Sequence, residues 1–143
     1  MNKRPILLAE DDPNDVELIQ AALAEHNILN PIVVTRDGAE CLDYLYRRGA
    51  FANRDTGDPL LILLDLKMPK VDGFEVLQKV KSDPSLKRVP VIVLTSSEQD
   101  QDIIRSYNLG VNAFVVKPVN FDKFVKVVKD FSLFWLLINV SPP

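Results

Sequence analysis

Four short apolar runs in this chain each stop at a residue able to do chemistry, and that repetition restricts the fold more than any other feature. Leu60-Leu61-Ile62-Leu63-Leu64 stops at Asp65, and Ile6-Leu7-Leu8-Ala9 stops at Glu10-Asp11-Asp12. Val91-Ile92-Val93-Leu94 runs into Thr95-Ser96-Ser97, and Ala113-Phe114-Val115-Val116 into Lys117-Pro118. Runs rich in Val, Ile and Leu without alternation suit strands buried on both faces, as in a parallel sheet covered by helices on each side. Right-handed crossovers between such strands favour a doubly wound α/β sheet, whose site lies at the carboxyl ends of the strands. There the acids, hydroxyls and ammonium would gather at one edge.

The segments between the runs support this reading. Asp12-Pro13-Asn14-Asp15 offers a helix cap with proline at the first helical position, and Val16, Ile19 and Leu23 give that helix an apolar face until Asn30-Pro31. Ile32-Val33-Val34 reads as the second strand. Asp37-Gly38-Ala39-Glu40 resembles a capping box ahead of a helix carrying Leu42, Leu45 and Tyr46. Arg47 to Pro59 has no sustained period and reads as a surface loop, long for a compact domain. After the third strand, Val71-Asp72-Gly73 opens a helix with Phe74, Leu77 and Val80 on one side. A fourth helix is expected from Glu98-Gln99-Asp100 to about Gly110, burying Ile103, Ile104 and Tyr107, and a fifth from about Asn120.

Composition narrows the function classes. With 143 residues, 47% of them hydrophobic, the chain has room for one sizeable core, and no internal repeat or second domain is visible. A net charge of −3 argues against a general nucleic-acid binder. No secretory leader is apparent, and the longest strongly apolar run, Leu133 to Ile138, is too short to span a bilayer. Cys41 has no internal partner, which suits a reducing cytoplasm, and with only His26 beside it a Cys/His zinc site is not expected.

Glu10, Asp11 and Asp65 would bring three carboxylates together, and mutual repulsion would raise at least one pKa unless a cation intervened. Mg²⁺ resolves the conflict, because it takes one or two carboxylates, waters and a phosphate oxygen. Lys117 adds a fixed positive charge and Thr95 a hydroxyl donor. Metal, ammonium and hydroxyl are the parts that stabilise phosphoryl transfer, and Asp65 is then the natural nucleophile.

Glu10-Asp11, Asp65 followed by Met68-Pro69 and Asp72-Gly73, Thr95-Ser96, and Lys117-Pro118 together resemble the signature of the response-regulator receiver domain, over roughly Pro5 to Lys129. The resemblance implies a flavodoxin-like five-stranded parallel sheet in the order 2-1-3-4-5. It implies that Asp65 accepts a phosphoryl group from a phosphohistidine on a sensor kinase. Asp11, Asp65 and the Lys67 backbone carbonyl would bind Mg²⁺, with Glu10 holding a metal-bound water. Lys117 would pair with the acceptor and the phosphoryl group, Thr95 would bind the phosphoryl group, and Phe114 would be the aromatic that moves inward in response. Such a protein catalyses only its own phosphorylation and dephosphorylation. The long loop, the stretch Asp65-Leu66-Lys67-Met68-Pro69-Lys70, the segment Ser82-Asp83-Pro84-Ser85-Leu86-Lys87-Arg88 and the tail Phe134-Trp135-Leu136 are similar to stand-alone regulators paired with phytochrome-type histidine kinases.

Taken singly, Asp65 would be only a cap or turn residue; the four matching partners argue otherwise. Asp12 reads as a cap, Lys67 as a solvated side chain, and Cys41 and His26 as structural or surface residues. A phosphatase with an aspartyl nucleophile is disfavoured, because the second Asp expected two residues later is Lys67. A degenerate receiver used as a constitutive binding module conflicts with the intact acid, hydroxyl and lysine set. The expected domain is 1–130, with 131–143 extending the last helix and no output or DNA-binding segment after it. Phe121, Phe124, Val125, Val128, Phe131, Trp135 and Ile138 fit one helical face, whereas Leu133, Phe134, Leu136 and Leu137 fall partly outside it. A helix apolar nearly all round calls for cover, so a homodimer through the fourth helix, fifth strand, fifth helix and tail, or a kinase contact there, is expected.

Overall fold

The computed structural model describes residues 4–25, 28–54 and 57–95, and beyond them 111, 113–117, 120, 122–124 and 126. Five strands, β1 (Ile6–Ala9), β2 (Ile32–Thr35), β3 (Leu61–Asp65), β4 (Val91–Thr95) and β5 (Ala113–Val116), form one sheet in the order β2-β1-β3-β4-β5, every pair parallel. The expected strand order is therefore observed. Helices α1 (Pro13–Glu25), α2 (Gly38–Tyr46) and α3 (Gly73–Ser82) lie between successive strands, and residues 122–124 and 126 are helical. The expected fourth helix and the tail from residue 127 onward lie outside the described residues.

Alternate residues of each strand feed two separate cores. Leu7, Ala9, Ile62, Leu64, Val91 and Val93 pack with Cys41, Leu42 and Leu45 of α2 and Phe74, Leu77 and Val80 of α3. Ile6, Leu8, Leu61, Leu63, Ile92, Leu94 and Val115 pack on the other face with Val16, Ile19 and Leu23 of α1 and with Phe124. Strands covered on both sides have no solvent face to make polar, which is why these runs lack alternation. The edge strand β2 is the exception, with Ile32, Val33 and Val34 only half-buried.

Local chemistry sets the helix starts. Asp37 Oδ1 accepts the Glu40 N–H at 2.8 Å, Asp72 Oδ1 accepts that of Glu75 at 3.0 Å, and Asp12 Oδ1 accepts that of Asn14 at 2.9 Å. Caps of this kind contribute about 1 kcal/mol each. In α2 the buried aromatic is Tyr44, while Tyr46 is exposed; the expected placement of Tyr46 on the apolar face is thus corrected. The helix ends on Arg47 in the left-handed region (φ 56°), and Tyr46 in its last turn stacks with the exposed Arg48 guanidinium, 5.3 Å from its ring centroid.

The segment from Arg47 to Pro59 is more tightly built than its composition suggests. It contains a single 3₁₀ turn, Gly49–Phe51, and Phe51 meets the Tyr44 ring edge-on at 5.1 Å. Arg54 stacks over the Tyr44 ring, 4.2 Å from its centroid, and donates to the carbonyls of Tyr44 (2.7 Å) and Gly57 (3.0 Å). Arg4 reaches over to the carbonyls of Asp58 and Pro59.

Candidate functional site

The parallel register delivers the polar strand ends to one edge. Ala9 pairs with Leu64, so Glu10, the next residue, falls beside Asp65. Asp65 lies opposite Leu94, and Thr95 opposite Val116. Backbone bonds extend the sheet past the last strand pairs: Glu10 N donates to Thr35 O (3.0 Å), Leu66 N to Leu94 O (3.1 Å) and Lys117 N to Thr95 O (2.6 Å). Glu10, Asp65 and Thr95 are buried, while Asp11 is exposed at the rim.

Close backbone packing holds the β3–α3 connection over this edge. A Cβ on Gly73 would lie 2.6 Å from Leu66 Cα, and one on Gly38, at the start of α2, 2.6 Å from the Val71 carbonyl carbon. Both contacts are too short for any side chain, so the connection is pinned at its base and along its flank. Gly73 N closes it onto Leu66 O at 2.9 Å. Within it, Lys67 N donates to Asp65 Oδ1 at 3.2 Å, which keeps the Lys67 peptide beside the carboxylate. The Lys67 side chain is exposed, as expected.

Carboxylate oxygens of Glu10, Asp11 and Asp65 lie within 4.8 Å of one another. Lys117 Nζ enters the group from the β5 side, 2.5 Å from Glu10 Oε1, 3.0 Å from Asp15 Oδ2 and 3.2 Å from Asp65 Oδ2. Burial pushes the Glu10 carboxyl up to about 7; Lys117 draws it back, and the Asp65 charge pushes it further up. Burial works against the Lys117 charge, yet the Glu10 carboxylate against it and the nearby Asp65 and Asp15 carboxylates hold the ammonium above the ordinary lysine value. The site thus gathers four carboxylates and one ammonium, which pairs with Glu10, Asp15 and Asp65. Glu10 Oε1, although against Lys117, accepts no hydrogen bond of good angle. An excess of hard oxygen donors with a poorly satisfied buried oxygen fits a small divalent cation.

The residues singled out from the sequence come together here: Glu10, Asp11, Asp65, Thr95, Lys117 and the Lys67 peptide share one edge. Phe114 is in β5 opposite Val93, and its side chain lies outside what is described. Asp12 serves as the α1 cap, as expected, and its N–H donates to Glu10 Oε2 at 3.1 Å. In the sequence Asp15 reads only as part of a helix start. Its place one helical turn beyond Asp11 was the available signal that it shares the site.

A parallel sheet of this order, with an acid pair after β1, an acid at the end of β3, a hydroxyl residue ending β4 and a lysine after β5, defines a receiver domain. The response regulator receiver domain model matches residues 6–129, and the chain belongs to that family. It is a response regulator of the two-component type, related over most of its length to phytochrome response regulators. Response regulator Rcp1 of Synechocystis sp. is 42% identical over 92% of this chain and 88% of its own, and a solved structure of Rcp1 is an Mn²⁺-bound form (TM-score 0.80, 41% identity, covering 98% of this chain and 99% of that one). The bacteriophytochrome response regulator RtBRR superposes with a TM-score of 0.87 at 52% identity, covering 99% of this chain and 85% of that one. The phosphorylated cyanobacterial phytochrome response regulator RcpA has a TM-score of 0.80 at 46% identity, covering 94% of each chain. Receiver domains hold a divalent metal in such an acidic pocket, and this chain has the acidic cluster. Among the described residues no helix is long and apolar enough to cross a membrane.

Proposed function

We propose that Asp65 accepts a phosphoryl group from the phosphohistidine of a phytochrome-type histidine kinase, and that the phosphorylated chain signals by changed protein contacts. The observation that carries this reading is the meeting of the Asp65 carboxylate with Glu10, Asp11 and Lys117 at a buried sheet edge. One Asp65 oxygen attacks phosphorus, the phosphorus–nitrogen bond to histidine breaks, and the imidazole nitrogen keeps the electron pair. Lys117, already 3.2 Å from Asp65, offsets the charge that gathers on the phosphoryl oxygens. The Thr95 hydroxyl donates to one of those oxygens. Phe114 takes the space that Thr95 vacates, which transmits the event to the outer surface.

Mg²⁺ is the cation proposed for the acid cluster, held by Asp11, Asp65 and the Lys67 backbone carbonyl, with Glu10 on a bound water. When bound it neutralises carboxylate and phosphoryl charge, the conflict that Lys117 alone leaves unresolved. The chain acts on no separate metabolite and catalyses only its own phosphorylation and dephosphorylation. The receiver unit is 1–130, with 131–143 extending the last helix; its apolar pattern supports a homodimer through the fourth helix, β5, the fifth helix and that tail. The lone, buried Cys41 suits a cytoplasmic setting. No contact with nucleic acid or membrane is proposed.

Incubation with radiolabelled acetyl phosphate and Mg²⁺, and then with candidate phosphorylated kinases, tests the reading. Wild type should take label and Asp65→Asn none. A wild-type chain that stays blank with both donors would instead mark a constitutive binding module.

A further inference from the structure

Asp15 is the acid that neither the helix start nor the metal cluster explains. In the first turn of α1 its charge suits the positive end of the helix, a role any exposed acid at that position would fill. Its carboxylate is not directed to solvent. Asp15 Oδ2 lies 3.0 Å from Lys117 Nζ, slightly nearer than Asp65 Oδ2 at 3.2 Å, and both side chains are largely covered, at 18% and 13% exposed. The ammonium is therefore shared among Glu10 and Asp65 at the strand ends and Asp15 from the helix.

We propose that Asp15 is a positioning residue for Lys117, a resting counter-ion that competes with a phosphoryl group on Asp65 for the same ammonium. The inference rests on Asp65 being the phosphoacceptor. Three carboxylates already compete for the unphosphorylated ammonium, at 2.5, 3.0 and 3.2 Å. An arriving phosphoryl group must take Lys117 from one of them. Asp15 is the partner that belongs to neither the acceptor nor the buried acid, so it is the one released. Holding Lys117 back in this way slows phosphorylation, and the effect acts only where Lys117 is.

The test uses the full chain and two readouts. In unphosphorylated, metal-free protein labelled with ¹³C-lysine, the Lys117 Cε signal, assigned by its loss in Lys117→Arg, should shift in Asp15→Asn and return toward its place in Asp15→Glu. With acetyl phosphate and Mg²⁺, the initial labelling rate of Asp15→Asn should rise about two- to fivefold, the range expected for one partly exposed ion pair. In a Lys117→Ala background the same substitution should leave the rate unchanged. An unmoved lysine signal, an unaltered or slower rate, or an equal gain without Lys117 would each overturn the proposal. Label persisting in Asp65→Asn would overturn the reading of Asp65 and this inference with it; the lysine signal reports on the Asp15 contact independently of that result.

Discussion

The carboxyl edge of the sheet and the connection between α2 and β3 treat charge in opposite ways. At the edge, four carboxylates gather with one ammonium that pairs with three of them, and burial lifts Glu10 to about 7. In the connection, one guanidinium is spread over backbone carbonyls at the end of α2, and its flat face rests on Tyr44. The second region is settled by its own contacts. The first is left short of positive charge, and that shortage gives it an appetite for a metal and makes it responsive to a phosphoryl group. Stability is built into one place and chemical readiness into the other.

The sharpest way to break the comparison is at Asp65. Asp65→Asn should abolish phosphoryl labelling, yet raise the stability of the metal-free protein by about 1 kcal/mol in urea unfolding, because a crowded charge is removed. A destabilised variant would mean that the edge is balanced after all. Gly38→Ala drives a Cβ into the Val71 carbonyl and should cost about 1–3 kcal/mol. It should also slow acetyl-phosphate labelling, since the displaced segment leads back to Asp65. Arg54→Ala leaves carbonyls of Tyr44, Leu45 and Gly57 without that donor and should cost about 2 kcal/mol with labelling unchanged. Altered labelling would show that the two regions are coupled.

The smallest effect concerns pH. Burial pushes the Cys41 thiol from 9.0 up to about 12. The native state therefore keeps its proton between those values while the unfolded chain loses it. The contribution is fully present below pH 9 and fades as pH rises toward 12. Between pH 9 and 10 wild type should lose about 1 kcal/mol more than Cys41→Ala in matched urea titrations.

Much of the fold was legible because the strands are covered on both faces, so their apolar runs, order and polar ends all stand out in one dimension. The caps at Asp12 and Asp37 were legible because a cap acts over two or three residues. Arg54 was not, since its partners are carbonyls of an earlier helix that no spacing reveals. Asp15 was hidden for another reason: an acid in a first helical turn already has an adequate explanation. Tyr46 was misplaced because it stands four residues after the buried Leu42, a spacing that fits the apolar face although the ring lies at its exposed edge.

The two glycines beside the β3–α3 connection carry an evolutionary consequence. Gly38 and Gly73 fix the path of this backbone by contacts that tolerate no added atom, whereas Lys67, Pro69 and Lys70 along it point their side chains outward. Descendants of this chain can rewrite Lys67 and Pro69, and Lys70 within what its left-handed backbone (φ 68°) allows, and so vary what the rim displays without moving the carboxylate beneath. Heredity can then tinker with recognition while the chemistry is passed on intact.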